Sequence, residues 1–255
     1  MMTSSTLATA RRALSLLDLT DLSDNADEAG LTALCARAVG APGPVAAICI
    51  WPRFVAQART MLGRAPVKIA TVVNFPQGEA TGAEVLAETQ GAVAAGANEI
   101  DLVLPWRAFL TGDAAAAEAM VRAVRDACGG QTLKVILETG EYPDLQRVRA
   151  ASELAIAAGA DFIKTSTGKT AHSASLPAAR TMLEVIAASD RSVGLKPSGG
   201  IRTLADAAGY LDLADAIMGA HWATPETFRF GASGLHQVLV DAIAGEASGE
   251  ASGSY

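Results

Sequence analysis

Five ionisable side chains stand inside apolar runs of this 255-residue chain. Asp101 lies in EIDLVLP (99–105), Lys134 and Glu138 in TLKVILET (132–139), Lys164 in DFIKTST (161–167) and Lys196 in SVGLKPS (192–198). A charge enclosed by strands costs several kcal/mol unless it is paired or neutralised. One such residue makes a structural ion pair, and a network of buried pairs tying the strands together is the plain reading of all five. A cluster of lysines admits a second reading. An ammonium is no nucleophile, but an amine becomes one when desolvation or a neighbouring cation lowers its pKa. Lys164 and Lys196 fall on consecutive strands. If both face inward, each disfavours the other's charge, and the neutral one can attack a carbonyl to form a Schiff base. Asp101 could then relay protons in the carbinolamine and imine steps.

The stretch FIKTSTGK (162–169), read on through Thr170, ends like a nucleotide-binding P-loop. That motif needs a glycine five positions before the glycine of its GK[ST] end. Here that position is Ile163, and Lys164 to Thr167 form no glycine-rich cradle. The nucleotide reading fails. Three glycine-containing turns remain: TGK (167–169), SGGIR (198–202) and GASG (231–234). Each alone reads as a tight turn. Together on one face their N–H groups could cradle an anion, with Lys169 or Arg202 at the rim. The residues therefore predict a phosphorylated carbonyl compound handled through an imine.

Positioning these groups requires a repeating scaffold, and the chain repeats one pattern. Short apolar runs, polar turns and alanine-rich helical stretches alternate. The predicted strands are 45–51, 67–75, 99–105, 132–139, 161–167, 192–198, 215–220 and 229–233. Several are almost continuously hydrophobic, as parallel strands covered on both faces are. Helices are predicted over 82–96, 112–128 and 143–159, each ending near a glycine (Gly96, Gly129, Gly159) suited to a C-terminal cap. Eight strands alternating with helices point to an α/β fold, a single (β/α)8 TIM barrel, with a doubly wound open sheet as the alternative. Residues 1–244 are expected to form the barrel domain, with 1–42 as an N-terminal helical cap. Residues 245–255, GEASGEASGSY, read as a flexible tail ending in Tyr255.

Composition narrows the function classes. Half of the residues are hydrophobic, 18% are charged, and the net charge is −7. No basic run suggests nucleic acid as a partner. The three cysteines, Cys35, Cys49 and Cys128, are too few and too scattered for a disulfide framework, and they fit a reducing cytoplasm. No apolar run approaches the ~18 residues of a membrane span, and the N-terminus is a poor signal peptide. The three histidines have no metal-ligand spacing.

The motifs LLDLTDLS (16–23), AICIWPRFV, KIATVVNFPQG, GANEIDLVLP, LKVILETGEY, GADFIKTSTGK, GLKPSGGIR and RFGASGL, with the final tyrosine, resemble the 2-deoxyribose-5-phosphate aldolase family over nearly the whole chain. FIKTSTGK paired with GLKPSGGIR is the specific part of that likeness. The resemblance implies a class I, metal-independent aldolase that needs no cofactor. It would cleave 2-deoxy-D-ribose 5-phosphate reversibly to acetaldehyde and D-glyceraldehyde 3-phosphate. Lys164 would be the Schiff-base lysine, Lys196 its perturbing partner and Asp101 the acid/base, with Lys134 near the substrate. Asp18, Thr20 and Cys49 match pocket positions, and Thr167 lies beside the sugar. Gly168, Lys169, Gly199, Gly200, Gly231 and Ser233 would hold the phosphate. Tyr255 matches a mobile terminal tyrosine that helps to move the enamine proton. Gly234 departs from the pattern where the family often has a second serine, which touches phosphate affinity and leaves the reaction intact. The partners implied are small sugar phosphates and aldehydes, and a homodimer or homotetramer is left open. Two rivals remain: a Schiff-base aldolase for another aldehyde, and a non-catalytic phosphosugar-binding protein.

Overall fold

The computed structural model describes residues 4–245. Tyr255, and the rest of the tail beyond Gly245, lie outside the described residues. Eight strands form one sheet: β1 (Leu17–Asp21), β2 (Ala47–Ile50), β3 (Lys68–Val73), β4 (Glu99–Val103), β5 (Thr132–Ile136), β6 (Phe162–Lys164), β7 (Gly194–Lys196) and β8 (Phe230–Ala232). The pairings from β7 back through β1 to β8 are all parallel. Bridges Leu195↔Phe228 and Ser198↔Gly231 join β7 to β8 and close the barrel.

Among the described residues ten α-helices accompany the strands: α1 (Ser4–Ser15), α2 (Glu28–Val39), α3 (Val55–Leu62), α4 (Gly82–Ala94), α5 (Trp106–Leu110), α6 (Ala114–Cys128), α7 (Leu145–Ala157), α8 (Leu176–Ala187), α9 (Leu204–Met218) and α10 (Leu235–Ala244). Their formation follows the local sequence. In α6, Asp113 caps the first turn by accepting from the Ala116 N–H, and Ala117, Val121, Val124 and Cys128 recur at helical spacing on the buried face. Side chains such as Ile48, Ile69, Ile100 and Leu102 are fully buried in the main hydrophobic core. Burying each is worth about 1.5–3 kcal/mol.

Two strand assignments from the sequence are corrected. Residues 215–220 are no strand: Asp215–Met218 complete α9, which begins at a Thr203–Asp206 capping box, and Gly219 follows as its C-cap. A short apolar run does not distinguish a strand from a buried helix turn, and the capping signal upstream decides it. The missing strand is β1, inside the segment expected to be a purely helical cap. Its sequence LDLTD carries two acids, which disguise a strand whose Leu17, Asp18 and Leu19 are all fully buried. The count of eight therefore holds, and Asp101, Lys134, Lys164 and Lys196 stand on β4, β5, β6 and β7. The same segment's α1 packs against α9 and α10.

Candidate active site

Barrel register brings the chemistry together. Side chains two residues apart on a strand share a face, so Glu99 and Asp101 project together from β4. Asp101 is opposite Lys134 on β5, and Lys164 on β6 is opposite Lys196 on β7. Asp101 is the hub. Its Oδ2 accepts from Lys164 Nζ at 2.8 Å and from Lys196 Nζ at 2.7 Å, while Oδ1 accepts from Lys134 Nζ at 3.0 Å. Lys134 also donates to Glu99. Asp18, from β1, lies with Oδ2 2.6 Å from Lys196 Nζ, an ion pair without hydrogen-bond alignment. Arg229, one residue before β8, closes the circuit by donating to Asp18 Oδ1 at 2.6 Å and Glu99 Oε1 at 2.9 Å.

This network contains four bases (Lys134, Lys164, Lys196, Arg229) and three carboxylates (Asp18, Glu99, Asp101). Fully ionised, it would bury one surplus positive charge. The surplus is best shed by the base with the fewest anionic partners. Lys134 contacts three carboxylates, Lys196 two and Arg229 two, but Lys164 contacts Asp101 alone. The pKa directions agree. Burial pushes Lys164 down; Asp101 offsets part of the fall, and repulsion from Lys196 adds to it. Burial acts on Lys196 and Lys134 as well, but their carboxylate partners outweigh it and raise both. For Asp101, burial works toward protonation, yet the three lysines hold it well below the usual carboxylate range. Lys164 is also the one lysine of the three with any exposure, 2% against 0% for Lys134 and Lys196.

At the C-terminal ends of the strands lies a cavity of about 390 Å³, whose lining includes none of the three buried lysines. Thr20 to Asn25, the end of β1 and the loop after it, line the cavity together with Thr167, Gly168, Lys169, Ser198, Gly199, Gly231 and Ser233. The glycines are required where backbones converge. A Cβ on Gly199 (φ 83°) would lie 2.7 Å from Ser173 Oγ, and one on Gly231 would lie 2.5 Å from Ser198 Oγ. Helix α10 starts at Gly234 with no side-chain cap, leaving its first-turn N–H groups for an anion. Gly200 and Arg202 line an adjoining cavity of about 610 Å³ that shares Asp24, Gly168 and Lys169 with the first.

The structure thus brings the expected phosphate residues around two adjoining cavities. Asp18 and Cys49 sit elsewhere: both are fully buried, Asp18 within the ion network and Cys49 with Sγ 3.9 Å from Asp101 Oδ2. Thr20 lines the cavity and donates its hydroxyl to the Asp18 carbonyl. Sequence reasoning missed Glu99 and Arg229. The first was legible as the i−2 partner of Asp101 on one strand face, and the second as a lone charge heading the apolar run of β8.

The profile of the DeoC/LacD family aldolases matches residues 12–249. A curated deoxyribose-phosphate aldolase from Agrobacterium fabrum is 54% identical over 224 residues, covering 87% of this chain and 86% of its own. Among solved structures, a candidate deoxyribose-phosphate aldolase from Toxoplasma gondii superposes with a TM-score of 0.87 at 26% identity, covering 96% of this chain and 97% of that one. A tetrameric deoxyribose phosphate aldolase from Aeropyrum pernix does so with a TM-score of 0.75 at 25% identity, covering 94% and 98%. Spanning nearly the whole barrel and the lysine–carboxylate network inside it, these matches show that the chain belongs to the DeoC/LacD family of aldolases.

Proposed function

We propose that this chain catalyses the reversible aldol cleavage of 2-deoxy-D-ribose 5-phosphate, with Lys164 as the Schiff-base nucleophile. The observation that carries the assignment is the asymmetry among the three buried lysines: Lys164 has one carboxylate partner, a lowered pKa and residual exposure, and the others have none of these. The neutral Lys164 amine adds to C1 of the open-chain sugar. Loss of water from the carbinolamine leaves an iminium. Removal of the proton from the C3 hydroxyl lets the C2–C3 bonding pair flow into the iminium. C3 becomes the aldehyde of glyceraldehyde 3-phosphate, and the two remaining carbons stay on Lys164 as an enamine. Protonation at C2 and hydrolysis release acetaldehyde and the free amine. Asp101, ionised and touching both Lys164 and Lys196, is placed to accept and return protons during these steps. Lys196 supplies the repulsion that favours the neutral amine, and Lys134 fixes Asp101 from its other oxygen.

The glycine turns at 168, 199, 200 and 231, with Lys169, Arg202 and Ser233, are assigned to the phosphate. The 54% identity to the Agrobacterium fabrum aldolase supports the substrate. Tyr255 is proposed to assist the enamine proton transfer. Residues 1–244 are read as one catalytic domain. A homodimer or homotetramer is proposed, supported by the tetrameric Aeropyrum pernix protein. Among the described residues no helix is long and apolar enough to cross a membrane, and a cytoplasmic role in deoxyribose phosphate breakdown is proposed. Incubation with 2-deoxyribose 5-phosphate, with quantitation of acetaldehyde and glyceraldehyde 3-phosphate, tests the reading. Equimolar products from the wild type, and none from a folded Lys164→Ala variant, are expected. Full activity in that variant would overturn the assignment of Lys164.

A further inference from the structure

Glu138 makes no hydrogen bond or ion pair with the buried lysines, although Lys164 stands close enough to act on its charge; it is fully buried and holds a left-handed backbone conformation at φ 60°. Only a few per cent of non-glycine residues do so, with Asn, Asp and His enriched among them. Glycine would fit this backbone without strain, so the side chain is what the position gains. That side chain reaches across to the loop between β6 and α8. Its two oxygens receive the Thr167 N–H at 3.1 and 3.3 Å, and Oε2 receives the Thr167 hydroxyl at 2.6 Å. The Thr170 hydroxyl lies 3.4 Å from Oε1 and 3.0 Å from the His172 carbonyl. Because the Thr167 hydroxyl spends its one proton on Glu138, its oxygen is free to accept the Lys169 N–H at 3.0 Å. The carboxylate therefore dictates the Thr167 rotamer, and that rotamer closes the turn through Gly168. The neighbouring Ser166 Oγ and Thr139 Oγ1 are buried without partners and hold nothing. Gly140, two residues on, brings the turn against the same loop, since a Cβ there would lie 2.2 Å from the His172 carbonyl oxygen.

We infer that Glu138 is the positioning residue of the phosphate site: through Thr167 it sets the shape of the 167–170 loop that presents Gly168 and Lys169 to the substrate's phosphate. The inference rests on the proposed assignment of that loop to phosphate. It makes Glu138 a determinant of the preference for phosphorylated over free deoxyribose, acting with no contact to substrate.

The test compares wild type with Glu138→Gly and Glu138→Asn, both compatible with the positive φ, and with Glu138→Gln, which keeps one acceptor oxygen. Steady-state kcat and KM are measured on 2-deoxyribose 5-phosphate and on 2-deoxyribose. Borohydride trapping of acetaldehyde on Lys164, which needs no phosphate, runs alongside. Glu138→Gly is expected to raise KM for the phosphorylated sugar at least tenfold and to lower the phospho/free ratio of kcat/KM to match. Trapping should stay within about twofold of wild type, and Glu138→Gln should recover most of the KM. An unchanged ratio in a folded variant overturns the proposal. So does equal loss on both sugars and in trapping, or failure of both Gly and Asn variants to fold, since each makes Glu138 a support of the barrel alone. A wild type that traps acetaldehyde but shows no preference for phosphate would instead overturn the assignment of the loop.

Discussion

Replacing Lys196 by leucine tests the charge balance of the barrel interior. In the wild type, four bases face three carboxylates, and Lys164 is the lysine of the three whose pKa is lowered. Without Lys196 the count is three against three, and a protonated Lys164 becomes the neutral arrangement. The size of the effect follows from the geometry. Lys164 and Lys196 donate to the same oxygen of Asp101, at 2.8 and 2.7 Å. That sharing holds the two nitrogens roughly 5 Å apart, where a unit charge repels another by about 3 kcal/mol at an effective dielectric of ~20. Removing that repulsion stabilises the ammonium form, cutting the free amine about a hundredfold at a pH below its titration. Asp101, freed of one partner, pulls in the same direction. The assay is the rate of acetaldehyde trapping on Lys164 as a function of pH. The acid limb of the profile should move to higher pH, with rate recovered as alkali deprotonates Lys164. A thermal melt confirms that the variant is folded. An acid limb that stays in place, or moves to lower pH, would refute the charge-balance argument.

Arg229→Met should destabilise the fold by roughly 3–5 kcal/mol, because it leaves Asp18 Oδ1 and Glu99 Oε1 buried without their donor and removes one of the cations these carboxylates face. At ~2–4 °C per kcal/mol for a chain of this size, the melting temperature should fall by roughly 6–20 °C, as differential scanning calorimetry would read. Acid should weaken the protein only below the ordinary carboxylate range. Asp18 and Asp101 are both held below their ordinary value of 3.8, so their contribution to stability is complete above that pH. It is lost as pH falls through the folded-state values, and urea midpoints should drop steeply below pH 3.8. Gly199→Ala should raise KM for the phosphorylated sugar and spare acetaldehyde trapping. Its φ of 83° disfavours any side chain, and the new Cβ would press on Ser173 Oγ at 2.7 Å.

The barrel was legible because its strands are buried on both faces and its helices carry caps. β4 to β7 appear in the sequence as apolar runs broken by the candidate site residues. The same feature concealed β1, where Asp18 and Asp21 occupy two of five positions and make a buried strand look polar. The run at 215–220 misled for the opposite reason, since apolar residues at a helix end imitate a short strand. At the site, the lysines and Asp101 were readable as charges in apolar runs. Glu99 and Arg229 were overlooked, because each stands at the edge of its run, where a charge draws no notice until the barrel closes over it. The role of Asp18 as counter-ion to Lys196 depends on the β1–β8 pairing, a contact between residues more than 200 positions apart. Glu138 was visible as a buried acid, but its reach to Thr167 depends on a left-handed backbone that no local pattern signals.

The most direct test of the central claim is to locate the covalent bond. The protein is incubated with acetaldehyde, reduced with borohydride, and taken through intact mass and peptide mapping. A single added ethyl group on Lys164 is the predicted result. The absence of any adduct on folded protein, or an adduct confined to Lys196 or Lys134, would contradict it.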